Sequence, residues 1–277
     1  MDTEELEQQS ANPIGTNTES VKTPILLPTA KRAFKIFAVF FLLQLLIALV
    51  MFFIIGIYYG VTGGDPNDVD GITTFIEGYV GLIGIVASFF SAICIVLWLW
   101  QRIRDPADGF SFQFIGLVKC APSVLALPAG VGAGIGICYL VFAALMFPIT
   151  EDSGMGPMTT MAMTSNWNLV LWVCTALLLA PFLEELLFRG ILLKCFLQSW
   201  PTPPASYLAI SMTVLLFTAL HFQEFIYYPI AAIAIVSMAG SATYFRLKTD
   251  TLAAASAVHF SYNSVMVTAV LIGRMAG

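Results

Sequence analysis

Two adjacent carboxylates and an arginine stand inside an apolar run. The stretch P-F-L-E-E-L-L-F-R-G at 181–190 follows N-L-V-L-W-V-C-T-A-L-L-L-A and precedes I-L-L-K-C-F-L-Q-S-W. Glu184, Glu185 and Arg189 therefore sit where a bilayer would make an ionisable group cost several kcal/mol. On a helix, Glu185 and Arg189 are four apart with the acid N-terminal, the favourable order for an ion pair. Glu184 is turned by about 100° from Glu185 and has no local partner. Adjacent carboxylates in a poorly solvated place disfavour double ionisation, which suits one of them to base chemistry near neutral pH. A buried polar clamp accounts for Glu185 and Arg189 as well as catalysis does. For Glu184, function is the default reading.

The chain has two histidines, and both follow the glutamates. His221 ends F-T-A-L-H, with Phe217 one turn earlier. His259 opens H-F-S-Y-N, and its i to i+4 spacing puts Asn263 on the same helix face. His221 alone reads as an interfacial residue. Taken together, Glu184, His221, His259 and Asn263 supply a base, its partner and two hydrogen-bond donors, the parts needed to hydrolyse an amide.

The elements that must position these groups are membrane helices. Of 277 residues, 58% are hydrophobic and 10% charged, against roughly 25% charged in a soluble domain. Apolar runs near 34–59, 78–100, 124–148, 168–198, 206–227, 229–246 and 252–273 predict an all-α, polytopic bundle of about seven membrane helices. Pro181 predicts a kink or break in the fourth run just before the glutamates. Lys31, Arg32, Lys35, Arg102, Arg104, Lys119, Arg246 and Lys248 fall in alternate loops, and the intervening loops carry only acids, Glu151, Asp152 and Glu224 among them. The N-terminus is therefore expected in the cytosol and the C-terminus outside. Residues 1–30 read as a disordered polar tail without a signal peptide, 31–150 as N-terminal membrane helices, and 151–277 as the part holding the chemistry.

The acidic balance, net charge −5, suggests no nucleic-acid partner. The five cysteines lack C-x-x-C spacing and read as small apolar packing residues. The glycine run A-G-V-G-A-G-I-G at 129–136 lacks the strand, helix and acidic residue of a dinucleotide loop. Gly130 with Gly134, and Gly132 with Gly136, instead form small-residue faces for close helix packing.

The three pieces E-E-L-L-F-R, F-T-A-L-H and H-F-S-Y-N, in this order on successive membrane segments over roughly 168–270, resemble the CPBP family, the CaaX proteases and bacteriocin-processing enzymes also called Abi. The resemblance implies an intramembrane endopeptidase of a multi-pass membrane protein, expected in a bacterial cytoplasmic membrane, acting on a peptide or membrane-anchored protein. It gives Glu184 the role of the base that activates water, with His221 as its partner. His259 and Asn263 become oxyanion donors, and Glu185 with Arg189 a supporting pair. No cofactor is expected. Zinc is weighed and not favoured, because the His-Glu-x-x-His spacing of zincins is absent. Many members have Thr-Gly-Ser-Leu before the last motif, where this chain has Thr249, Asp250, Thr251 and Leu252. Asp can adopt the left-handed geometry that Gly allows.

A transporter or proton relay is the main rival, since intramembrane Glu, His and Arg also mark ion paths, and a non-catalytic scaffold is a third reading. No inverted repeat supports the transporter. One geometric requirement is open. Counted at about 1.5 Å per residue, His259 lies near the cytosolic face and His221 toward the opposite side. Tilt, a late start to the fifth helix, or a deep cavity must bring them together.

Overall fold

A computed structural model of the chain describes residues 28–65, 67–105, 107–146 and 162–276. Most of the N-terminal tail and the loop carrying Glu151 and Asp152 lie outside the described residues. Among those described there is no strand, and each of the seven apolar runs is helical. The main helices are α1 (Ala30–Val61), α3 (Val80–Ile103), α5 (Ser123–Met146), α6 (Asn166–Ser199), α7 (Ala205–Leu220), α9 (Ala231–Thr249) and α10 (Leu252–Ala276). Short helices α2 (Val69–Glu77), α4 (Phe112–Ile115) and α8 (Phe222–Tyr227) join them.

Five of these, α1, α3, α5, α6 and α10, are long and apolar enough to cross a bilayer. The protein is an integral membrane protein. α7 is shorter, at 16 residues, and gives way to α8 at His221, so the fifth apolar run is two helices. No glycine or proline marks that break; the polar residues Gln223 and Glu224 follow it closely. α9 owes its milder hydropathy to its position. Ala231, Ala234, Ile235, Met238, Ala239 and Ala242 are all buried, so small residues pack against neighbouring helices where lipid-facing ones would be larger.

Gly132 and Gly136 set the closest of these contacts. A Cβ at Gly132 would meet the Val258 carbonyl oxygen at 2.0 Å, and one at Gly136 would meet Val265 Cβ at 3.0 Å. α5 therefore lies directly on α10, whose backbone it could not approach with any larger residue. Gly130 and Gly134 face open space, so only one of the two small-residue faces packs a helix. Of the cysteines only Cys195 is buried; Cys94, Cys138 and Cys174 are exposed, on the outside of the bundle and away from core packing.

Charged groups cluster at one end. Arg32 and Arg102 pair with Asp108, and Arg246 and Lys194 with Asp250 at 2.7 and 3.1 Å. The segment around α4 links the two sets, because the Phe114 carbonyl accepts from Arg246 and the Gly116 carbonyl from the Leu252 amide. Gly116, at φ 82°, lies under the Arg246 guanidinium, 2.7 Å from where a Cβ would stand. Asp250, the residue that follows α9, takes the left-handed conformation, φ 51°, which commonly ends a helix. Hydrogen bonds and positive charge from Arg246 and Lys194 outweigh burial, which acts first and upward, and hold its carboxyl below the usual range.

Candidate active site

α6 carries the glutamates on a short α-helical segment, Ala180–Glu185, between two π-helical turns, Thr175–Leu179 and Leu186–Leu192. π-turns of this kind recur at functional sites. The first accounts for Pro181. A proline removes a donor and crowds the carbonyl a turn before it, and widening that turn relieves the crowding without breaking the helix. The expected kink is thus a continuous helix with an enlarged turn. The Ala176 carbonyl, inside that turn, accepts from Asn263 Nδ2 at 2.8 Å.

Glu185 and Arg189 are both fully buried and form the expected pair, Nη1 to Oε1 at 2.9 Å. The arginine is satisfied on its other sides. Nη2 donates to the Ala239 carbonyl at 2.9 Å, Nε to Thr243 Oγ1 at 3.3 Å, and the guanidinium lies 4.3 Å over the Phe217 ring. It therefore fastens α6 to α9 and α7. The same Glu185 oxygen is bonded to His259 Nδ1 at 3.0 Å. This bond between α6 and α10 fixes the imidazole so that its Nε2 faces Glu184 Oε2, 3.9 Å away.

His221 reaches Glu184 from α7, Nε2 to Oε2 at 3.6 Å. Its backbone N–H bonds to the Thr218 carbonyl, a tightened last turn that leaves the Phe217 carbonyl to the ring, and Nδ1 lies 3.0 Å from it. A carbonyl only accepts, so Nδ1 carries hydrogen and the Nε2 of the neutral ring is an acceptor. Phe217 stacks on His221 at 4.7 Å and meets His259 edge-on at 5.6 Å. One buried ring thus sets both imidazoles and the arginine.

The depth requirement is met by register. Counted at about 1.5 Å per residue, His221 is roughly 24 Å along from the start of α7 and Glu184 roughly 22 Å back from the end of α6. His259 is only roughly 10 Å from the start of α10. That start is itself raised, because Asp250 is tied to Lys194, and Glu185 lies roughly 13 Å beyond Lys194. The last helix begins inside the bundle, and its histidine arrives level with the glutamates.

The structure brings Glu184, Glu185, Arg189, His221 and His259 together. Asn263 is on the same helix as His259, one turn on, with its amide bonded to α6. Glu184 Oε2 is buried and receives no hydrogen bond from any described protein group, an uncommon state for a carboxylate oxygen. It borders a cavity of about 280 Å³ that is also lined by Gln44, Ser88, Leu183, His221 and Glu224. Two of the polar ones, Gln44 and Ser88, lay outside the sequence reading. Gln44 and Ser88 are polar residues within apolar runs, a signal that was present. Glu224 is not part of a free outside loop but of α8, beside the cavity. Among the described residues no group of three or more His, Cys, Asp or Glu is arranged to hold a metal ion.

A polytopic helical membrane protein with a Glu–His centre facing a cavity is the class that fold and site define. Residues 166–265, just over a third of the chain, match the Rce1-like family model, type II CAAX prenyl endopeptidase Rce1-like. All three motifs fall within this segment, so the resemblance to the CPBP family is met by an independent comparison. At the level of that family the activity is intramembrane proteolysis. Comparison with curated proteins and with solved structures finds no match.

Proposed function

We propose that the protein hydrolyses a peptide bond of a membrane-anchored peptide or protein, using a water activated by Glu184 and His221. The observation that carries the reading is the convergence of Glu184 Oε2 and His221 Nε2, 3.6 Å apart, on one cavity. Both are acceptors, so a water between them donates both of its hydrogens and keeps its lone pairs for a carbonyl carbon. Attack forms the C–O bond as a water proton passes to Glu184. The carbonyl oxygen becomes an oxyanion, His259 Nε2 and the second amide hydrogen of Asn263 donate to it, and its collapse breaks the C–N bond while Glu184 returns the proton to the departing amine.

For His259 to donate, Nε2 must carry hydrogen while Nδ1 also donates to Glu185. The reaction in this reading uses no metal. In a zinc site the third ligand would be Glu184 itself, and the remaining carboxylate, Glu185, is already engaged by Arg189 and His259.

The test is purified full-length protein in liposomes, incubated with a library of lipid-anchored peptides and read by mass spectrometry. Wild-type protein should release defined fragments. Glu184→Gln keeps the shape and removes the base, so turnover should fall by about 10² to 10⁴-fold with folding intact. Equal turnover in the two proteins would refute the assignment.

A further inference from the structure

We propose that the groove between α1 and α3 is a substrate subsite that holds an extended peptide segment by its backbone, with Gln44 and Ser88 as the polar contacts. It rests on the endopeptidase reading above and adds the part of the site that lies outside the family-matched residues. Gln44 Nε2 donates to Ser88 Oγ at 3.1 Å across the two helices. Both residues line the cavity at Glu184 and also a second cavity of about 320 Å³ that continues from it toward Ala48. Gly84 and Phe41 are shared as well, so the two spaces form one groove.

The register sets Gln44 opposite the chemistry. The Ala30 amide donates to Ser199 Oγ at 2.7 Å, which levels the start of α1 with the end of α6. Counted from these ends at about 1.5 Å per residue, Gln44 stands at roughly 21 Å and Glu184 at roughly 22 Å. The α1 face beside the groove is apolar, with Leu45 exposed. A peptide extended there finds no water for its N–H and C=O groups, and each unpaired group is costly in a bilayer. A side-chain amide answers both needs, since it accepts from one N–H and donates to one C=O. Among the described residues Gln44 has a single hydrogen bond, which leaves its carbonyl oxygen and second amide hydrogen for that purpose.

Gly84 opens the groove on the α3 side, where an added Cβ would meet nothing within 4 Å. A larger side chain there fills the groove without clashing with the bundle, and replaces a helix-interior glycine by a better helix former. The variant Gly84→Leu therefore folds and blocks.

The experiment uses full-length protein in liposomes and the best-cleaved peptide of the lipid-anchored library, with a series of its analogues methylated one at a time on backbone nitrogen. Gln44→Leu should raise KM roughly 5- to 10-fold, as expected for a lost hydrogen bond, with kcat little changed. Gly84→Leu should raise KM further. At one position N-methylation should weaken wild-type cleavage and leave that of Gln44→Leu unaffected. If Gln44 only staples α1 to α3, then Gln44→Leu and Ser88→Ala lower thermal stability alike, KM stays constant, and the methylation penalty is the same in both proteins. That result would overturn the subsite and leave the endopeptidase standing. No cleavage of any library member by wild-type protein would refute both.

Discussion

Replacing Gly132 by alanine puts a methyl group 2.0 Å from the Val258 carbonyl oxygen and 2.4 Å from Ser261 Oγ. Neither obstacle can step aside as a long side chain could; the carbonyl belongs to the α10 backbone, one residue before His259. Restoring even a tight contact of about 3 Å requires α5 and α10 to part by about 1 Å, and overpacking of this kind costs about 1–3 kcal/mol. The displaced helix carries His259 and Asn263, and a misplacement of about 1 Å at a reacting centre costs about 10²-fold in rate. Gly134→Ala, two residues away on the open side of the same helix, is the control and should gain about 0.5–1 kcal/mol from reduced chain entropy. Thermal melting in detergent and cleavage of the lipid-anchored peptide read the two effects. If Gly132→Ala matches Gly134→Ala in both, the close approach of α5 does not position the histidine, and the reasoning fails.

Arg189→Leu leaves Glu185 buried beside His259 without its cation, and should destabilise the protein by about 3–5 kcal/mol, seen as lower yield and melting temperature along with lost activity; a stable but inactive variant would make the arginine a substrate ligand. Dialysis against a strong chelator should leave cleavage intact, with well below one equivalent of zinc in metal analysis. Loss on chelation restored by zinc would overturn the water mechanism and keep the protease. A cysteine tag at Asp68 should react with an impermeant reagent from outside the cell and one at Arg102 should not; the reverse would invert the topology read from the basic residues.

Local relations were legible in the sequence. Glu185 with Arg189 and His259 with Asn263 are each four residues apart, and helix geometry alone puts each pair on one face. Relations between helices were not legible, because they depend on register. The bond from Glu185 to His259 exists because Lys194 and Asp250 raise the start of α10, a pairing across 56 residues. The donor to Ala176 comes from Asn263 only because a π-turn exposes that carbonyl. The end of α7 at His221 has no glycine or proline to announce it, and Gln44 gives no hint of its partner until α1 and α3 are side by side.

The clamp of Arg246 over Gly116 bears on how such proteins can be recombined. The segment that carries the recognisable motifs begins at residue 166, yet its last two helices are seated by residues well before it. Gly116 accepts the Leu252 amide and makes room for Arg246, and Gly132 admits α10 to contact distance. A chimera that grafts residues 166–265 onto foreign N-terminal helices would keep every motif and lose the seat beneath His259. Transplants of this motif-bearing segment should work only when the donor's stretch from Gly116 through α5 travels with it.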